Sequence, residues 1–201
     1  MLLIGKDGTV NDARIKRAPK STIERREMKV VRGIIVHQTG AATAESSLDS
    51  YRNPSANGAH FLIDKDGTIY QTASIYRQTW HVGKLKARCL VEKRCAPVDV
   101  QALMRFDPGR ENKREMTKSV PDRFPSNEDS IGIELVGEAL PRGSSVPEQK
   151  KTYESVTEQQ NASLHWLVSE LALSLNIQLQ EVFRHPDVSR KNPTEASTAK
   201  W

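Results

Sequence analysis

The segment Val30-Val31-Arg32-Gly33-Ile34-Ile35-Val36-His37-Gln38-Thr39-Gly40 decides how the rest of the chain is read. Residues 30–36 are almost continuously apolar and rich in β-branched side chains, the pattern of a strand buried on both faces. The run ends at His37-Gln38-Thr39-Gly40. The carboxyl edge of such a strand is where α/β sheets bind ligands, so His37 is a candidate site residue.

Downstream, residues 59–64 and 68–72 are β-prone and joined by Asp66-Gly67, whose glycine tolerates the positive φ of a tight turn; this predicts a hairpin. Trp80-His81-Val82-Gly83 opens a loop. Residues 84–129 read as a long, basic loop insertion broken by Pro97, Pro108, Pro121 and Pro125, with a helical portion around residues 98–105. In residues 130–136, Ile131, Ile133 and Leu135 point one way and Gly132, Glu134 and Val136 the other. Glu134 therefore stands mid-strand, where a carboxylate is disfavoured. Thr157-Glu158-Gln159-Gln160 has the form of a capping box. Behind it Leu164, Leu167, Val168, Leu171 and Leu175 form one helical stripe that should pack on the sheet. Residues 183–201 look polar and loop-like, with His185 near their start. Residues 1–28 are polar, basic and aperiodic; Lys16-Arg17 and Arg25-Arg26 suggest a solvated N-terminal arm ahead of one domain over residues 29–201.

Of the 201 residues, 37% are hydrophobic and 27% charged, enough apolar material in runs to exclude a wholly disordered chain. No stretch approaches the roughly 18 apolar residues of a membrane span, so no membrane insertion is expected. The start, Met1-Leu2-Leu3-Ile4-Gly5-Lys6-Asp7, reaches charge before the about 7–15 apolar residues of a secretory leader. The expectation is a protein made in the cytoplasm that stays there or leaves without a cleaved leader. The net charge of +5 favours a polyanionic partner without choosing among nucleic acid, an anionic membrane and a carboxylate-rich wall. Cys89 and Cys95 form a small disulfide in an oxidising space or remain two thiols; both readings stay open.

Five histidines are present: His37, His60, His81, His165 and His185. His165 falls on the long helix and reads as structural. The absence of H-E-x-x-H excludes the helical metalloprotease site. His37 and His185 would join distant parts of the chain in one centre, where a catalytic zinc takes about three protein ligands and leaves a position for water.

Five stretches occur in order: Ile34-Ile35-Val36-His37; Ala59-His60-Phe61-Leu62-Ile63-Asp64-Lys65-Asp66-Gly67-Thr68-Ile69-Tyr70-Gln71; Trp80-His81-Val82-Gly83; Ser130-Ile131-Gly132-Ile133-Glu134-Leu135-Val136-Gly137; and His185-Pro186-Asp187-Val188. Together they resemble the zinc-dependent N-acetylmuramoyl-L-alanine amidases of the peptidoglycan-recognition (type 2 amidase) family, over about residues 30–201 with the 84–129 interruption. The resemblance implies an α/β fold, a mixed central β-sheet flanked by helices, with Zn2+ in a groove and peptidoglycan as partner. It makes His37 and His185 metal ligands, Glu134 the general base and Lys191 a stabiliser of the oxyanion. Some members carry a catalytic tyrosine just before the hairpin histidine; this chain has Ala59, which fits the subgroup that relies on the glutamate. The third ligand departs from the pattern. Members place Asp or Cys two residues after the lysine, and here that position is Pro193, which binds no metal. Glu195 is the expected replacement, with Asp187 the other candidate. Trp80 offers a sugar an apolar face, His81 a hydrogen bond to glycan or peptide, and His60 stands between substrate contact and orienting the sheet.

These readings give zinc-dependent hydrolysis of the amide between N-acetylmuramic acid and L-alanine. A non-catalytic peptidoglycan-binding module, motivated by Pro193, a cytosolic muropeptide-recycling amidase and a phage lysin are the alternatives. No phosphate-cradling glycine loop or paired acidic cluster supports a nucleic-acid partner. Residues 192–201 resemble the end of type VI secretion amidase effectors. That implies an antibacterial toxin acting in the periplasm of a target cell after secretion, held in check by an immunity protein.

Overall fold

The segment predicted to be buried on both faces runs into an interior strand of one mixed sheet. The computed structural model describes residues 1–143 and 145–201. Its strands are β1 (Leu3–Ile4), β2 (Val10–Asn11), β3 (Ile15–Arg17), β4 (Glu24–Glu27), β5 (Gly33–Gly40), β6 (Phe61–Ile63), β7 (Ile69–Gln71), β8 (Arg77–Thr79), β9 (Ser130–Leu140), β10 (Thr152–Tyr153) and β11 (Val182–Arg184). Its α-helices are α1 (Ala44–Ser50), α2 (Arg88–Val91), α3 (Pro97–Leu103), α4 (Pro108–Glu115), α5 (Glu158–Leu175) and α6 (His185–Val188). The main sheet runs β11-β5-β9-β6-β7-β3, with β10 added to β9. Pairing is parallel at β11–β5, β5–β9, β9–β6 and β7–β3, and antiparallel in the β6–β7 hairpin and at β9–β10.

Alternation divides the central strands between two faces. Ile34, Val36, Phe61, Ile63, Ile131, Ile133 and Leu135 enter one core with Leu164, Leu167, Val168 and Leu171 of α5. Each of these side chains contributes about 1.5–3 kcal/mol by leaving water, an upper range because the unfolded chain is already partly compact. The start of α5 is fixed as its sequence predicts: Thr157 Oγ1 accepts from the Gln160 amide and Gln160 Oε1 from the Thr157 amide, each at 3.1 Å. Asn176 ends the helix in the left-handed region (φ 54°). The hairpin turn holds Gly67 at φ +85°, and a Cβ there would lie 2.9 Å from the Gln159 carbonyl oxygen.

Two segments differ from their sequence reading. Residues 1–28 are no solvated arm: Leu2, Val10, Ile15 and Met28 join the main core, β3 forms an edge of the sheet, and β4 pairs with β8. These apolar residues are too widely spaced to show a period, and only the sheet they cover brings them together. Residues 84–129 are not a long loop, since they carry α2, α3 and α4. Pro97 and Pro108 start helices instead of breaking them, because a proline in the first turn loses no intrahelical hydrogen bond. The insertion is tied to the end of the chain. Leu85 bridges Ser189, Lys86 N–H donates to the Val188 carbonyl at 2.8 Å, and buried Arg88 pairs with Glu181 at 2.7 Å. Among the described residues no helix is long and apolar enough to cross a membrane.

Cys89 and Cys95 are joined in a disulfide across the end of α2. Closing so short a loop in the unfolded chain is worth on the order of 2 kcal/mol. Reduction, or Cys95→Ser, is therefore expected to lower the melting temperature by about 4–8 °C in a thermal melt. Equal melting temperatures with and without reductant would show that the bond constrains nothing.

Candidate metal centre and active site

The site is built on the sheet face opposite α5. Because Val36 and Ile133 point into the core, their successors His37 and Glu134 point the other way. The parallel register of β5 and β9 sets His37 directly opposite Glu134. β11 runs parallel to β5 with Arg184 opposite Val36, and the chain turns into α6 at the next residue, so His185 arrives beside His37. The two imidazole centroids are 4.3 Å apart.

Glu195 comes from the turn that follows. Buried Asn192 anchors this turn, donating from its amide to the carbonyls of Glu148 (2.7 Å) and Lys151 (2.8 Å). The Glu195 amide donates to the Asn192 carbonyl at 3.0 Å, and the Ala196 amide to Gln38 Oε1 at 3.1 Å. Glu195 Oε1 then lies 2.9 Å from His185 Nδ1 and 3.6 Å from His37 Nδ1. Asp187, the other candidate ligand, is exposed and instead accepts the Arg184 amide at 3.1 Å as a helix cap.

One ligand atom from each of His37, His185 and Glu195 falls within 4.8 Å of the others. Ligands at about 2.1 Å around a tetrahedral ion stand roughly 3.4 Å apart, so this spacing fits a divalent metal. The ionisation states fit too. Burial, with the charge of His185 adding to it, pulls His37 down to about 4 and leaves its imidazole neutral. Glu195 is held at about 2: burial opposes its charge, but hydrogen bonds from His185 and His37 outweigh that. His185 Nε2 is buried without a hydrogen-bond partner among the described residues. Two imidazoles and a carboxylate are a zinc-type donor set.

Glu134 has the opposite environment. Burial raises it to about 7, and the charge of Glu195 adds to the rise, against a hydrogen bond from Tyr51 that lowers it. Tyr51 Oη donates to Glu134 Oε2 at 2.7 Å. The sequence reading missed Tyr51, which follows α1 with no motif around it and meets Glu134 only in space. Tyr153 was missed as well; it lines the groove with His37, Glu134, His185, Lys191 and Glu195. The groove encloses about 500 Å³. Lys191 is exposed on this wall, its Cε near Gly83.

The remaining candidates separate. Trp80 is half exposed on the groove wall, and the Arg25 guanidinium lies 4.4 Å from its ring centroid. His81 reaches the groove, but its Nδ1 faces His37 Nε2 at 2.9 Å and its Nε2 faces Ser130 Oγ at 3.3 Å. With both nitrogens engaged, it orients His37 and offers substrate no free donor. If His37 Nδ1 turns its lone pair to a metal, its proton sits on Nε2 and His81 accepts it. Gly132 makes room for this ring: a Cβ there would lie 2.8 Å from His81 Cγ. His60 is removed from the substrate set. It is fully buried, its Nε2 faces the Arg77 carbonyl at 2.8 Å, and its Nδ1 accepts the Gly132 amide at 3.0 Å. A histidine beside a strand gives no sign of which face it will take until the neighbouring strand is placed.

Known proteins share this fold. The family model described as N-acetylmuramoyl-L-alanine amidase matches residues 27–196. The crystal structure of a selenomethionine AmpD derivative superposes with a TM-score of 0.55 at 17% identity, covering 96% of this chain and 93% of that one. PlyL gives a TM-score of 0.51 at 17% identity over 90% and 85% of the two chains. AmpDh3 from Pseudomonas aeruginosa, solved in complex with an anhydromuramic pentapeptide, gives 0.52 at 19% identity over 95% of this chain and 60% of that one. At these identities the likeness shows the fold. No curated protein matches the chain. A match that runs through every strand of the groove and ends just past Glu195 places this chain in the Amidase_2 family of N-acetylmuramoyl-L-alanine amidases.

Proposed function

We propose that the chain is a zinc-dependent hydrolase of the amide between N-acetylmuramic acid and the L-alanine of the peptidoglycan stem peptide. The observation that carries this is the convergence of His37, His185 and Glu195 with Glu134 on the adjacent strand. Pro193 motivated a binding-only reading; the approach of Glu195 Oε1 to His185 Nδ1 (2.9 Å) and His37 Nδ1 (3.6 Å) supports the catalytic one. Zinc held by these three residues would supply a Lewis acid that makes water acidic near neutral pH and polarises an amide carbonyl.

The protein's own groups do the rest. Tyr51 fixes Glu134 Oε2, which leaves Oε1 to take a proton from the attacking water. The new C–O bond forms at the lactyl carbonyl. The C–N bond then breaks, and Glu134 passes its proton to the departing amine of L-alanine. A base poised near neutrality can perform both transfers, since it neither holds nor refuses the proton strongly. Lys191 at the groove wall places a positive charge near the oxygen that turns negative in the transition state.

Digestion of purified sacculi tests the reading. Mass spectrometry should find free stem peptides and intact glycan strands; cut glycan or cut cross-links alone would overturn it. In the same assay Glu134→Gln should lower kcat by about 10²–10⁴ while keeping stoichiometric metal, whereas Glu195→Ala should lose metal by elemental analysis.

The base must be ionised to act, so kcat/KM should fall as pH drops through about 7, where burial has raised Glu134. The hydrogen bond from Tyr51 favours the ionised form, so Tyr51→Phe should move this acid limb to higher pH. A limb that stays in place in Tyr51→Phe would mean that the titrating group is not Glu134.

The Cys89–Cys95 disulfide supports a site of action in an oxidising compartment, and with it the extension to a secreted antibacterial effector. Expression directed to the periplasm should arrest growth and expression in the cytoplasm should not; harmless periplasmic protein would count against the extension.

A further inference from the structure

The Cys89–Cys95 disulfide lies on the segment that holds His185 in place. We propose that it is a redox-sensitive brace of the metal centre: closed, it fixes His185 for a metal; reduced, it lets His185 loosen. This rests on the zinc reading of that centre and adds its regulation.

β11, which delivers His185, is a three-residue strand at the edge of the sheet, paired with β5. Residues 84–88 grip the chain on both sides of that histidine. Ahead of it, buried Arg88 pairs with Glu181 at 2.7 Å, and its guanidinium lies 5.2 Å from the ring centroid of Phe183. Behind it, Lys86 Nζ donates to the Pro186 carbonyl and the Lys86 amide to the Val188 carbonyl at 2.8 Å. Ser189 Oγ donates to the Lys84 carbonyl at 3.0 Å.

The disulfide closes the turn that follows this grip. α2 begins at Arg88 and has four residues, too few to stand as a helix in water by itself. Leu90 and Val91 are exposed, so little apolar burial holds the turn. Lys93 has φ 56°, a left-handed conformation that a residue with a Cβ adopts at an energetic cost. Glu92 pairs with Arg88 and Arg94, but partly exposed ion pairs of this kind hold weakly. The cross-link supplies the missing constraint by tying Cys89, next to Arg88, to Cys95 beyond the turn. Without it the turn can unwind, and the backbone that aims Arg88 at Glu181 unwinds with it.

The bond is open to exchange, since Cys95 is partly exposed while Cys89 is buried. A thiolate attacks Cys95 Sγ, the S–S bond breaks, and Cys89 leaves as a thiolate that takes up a proton. A second thiolate attacks the reductant sulfur of the mixed disulfide and frees Cys95. Two reductant thiols thus become one disulfide, and their two electrons and two protons leave both cysteines as thiols. The thiol pool of a cytoplasm supplies this reductant; an oxidising compartment preserves the bond.

The test uses the metal-free full chain in three forms: oxidised, reduced by a phosphine that is then removed without air, and Cys89→Ser/Cys95→Ser. Competition with a chromophoric chelator reads zinc affinity, and mass spectrometry reads amide hydrogen exchange. Oxidised protein is expected to bind zinc about tenfold or more tightly than reduced protein, the scale of one or two lost hydrogen bonds. Exchange over residues 182–189 should quicken on reduction while that over β9 and α5 stays the same. The double variant should match reduced protein in both measurements and ignore the reductant. Cleavage of sacculi at limiting zinc should follow the affinities, and excess zinc should restore it. If no form cuts sacculi but reduction still weakens zinc binding and loosens residues 182–189, the amidase reading fails and the brace stands. Three results overturn the brace: equal zinc affinity in oxidised and reduced protein, exchange that quickens in β9 and α5 as much as in residues 182–189, or a reductant effect that persists in the double variant.

Discussion

The parallel pairing of β5 with β9, in the register that sets His37 opposite Glu134, is the constraint on which the site depends. A slip of one residue would turn Glu134 into the core beside α5 and bring Ile133 or Leu135 to the groove. The apolar face prevents this. Ile34, Val36, Ile131, Ile133 and Leu135 can all be buried against α5 in one register only. The hydrophobic core thus holds a polar pair in place on the far side of the same two strands.

The two carboxylates of the site are divided by their surroundings. Glu195 sits between His37 and His185 and stays charged down to about pH 2. Glu134, a strand away, is held by one tyrosine hydroxyl and feels the charge of Glu195, so it is raised to about 7. Opposed environments let one site hold both a carboxylate that stays anionic and one that exchanges its proton near neutrality. Burial of His37 keeps it neutral and free to donate a lone pair.

The segments around this centre brace it. The insertion reaches the loop that carries the site's second half through Leu85–Ser189, Arg88–Glu181 and Arg190–Glu111. On the other side the N-terminal segment closes an edge of the sheet and sets Arg25 against Trp80. The loop that carries Glu195 is thereby held from the helical insertion, and the groove is extended by residues far from it in sequence.

Local signals in the sequence determined much of this protein. The apolar run before His37, the Asp66-Gly67 hairpin, the alternation around Glu134 and the capping box at Thr157 each depend on neighbours a few residues away, and each appears in the structure. The order of the motifs made His37, Glu134 and His185 candidates, and Glu195 entered as the nearest carboxylate to Pro193, where the resemblance leaves no ligand; the structure brings the four onto one groove. Tertiary structure alone decided the rest. Whether His60 and His81 face substrate depends on where Arg77, Gly132, His37 and Ser130 lie, and Tyr51 meets Glu134 across 83 positions of sequence. The apolar residues of the first 28 positions have no period, and the prolines of the insertion mark helix starts or loops equally well. Such choices are set by long-range contacts, and a local window of sequence holds no term for them.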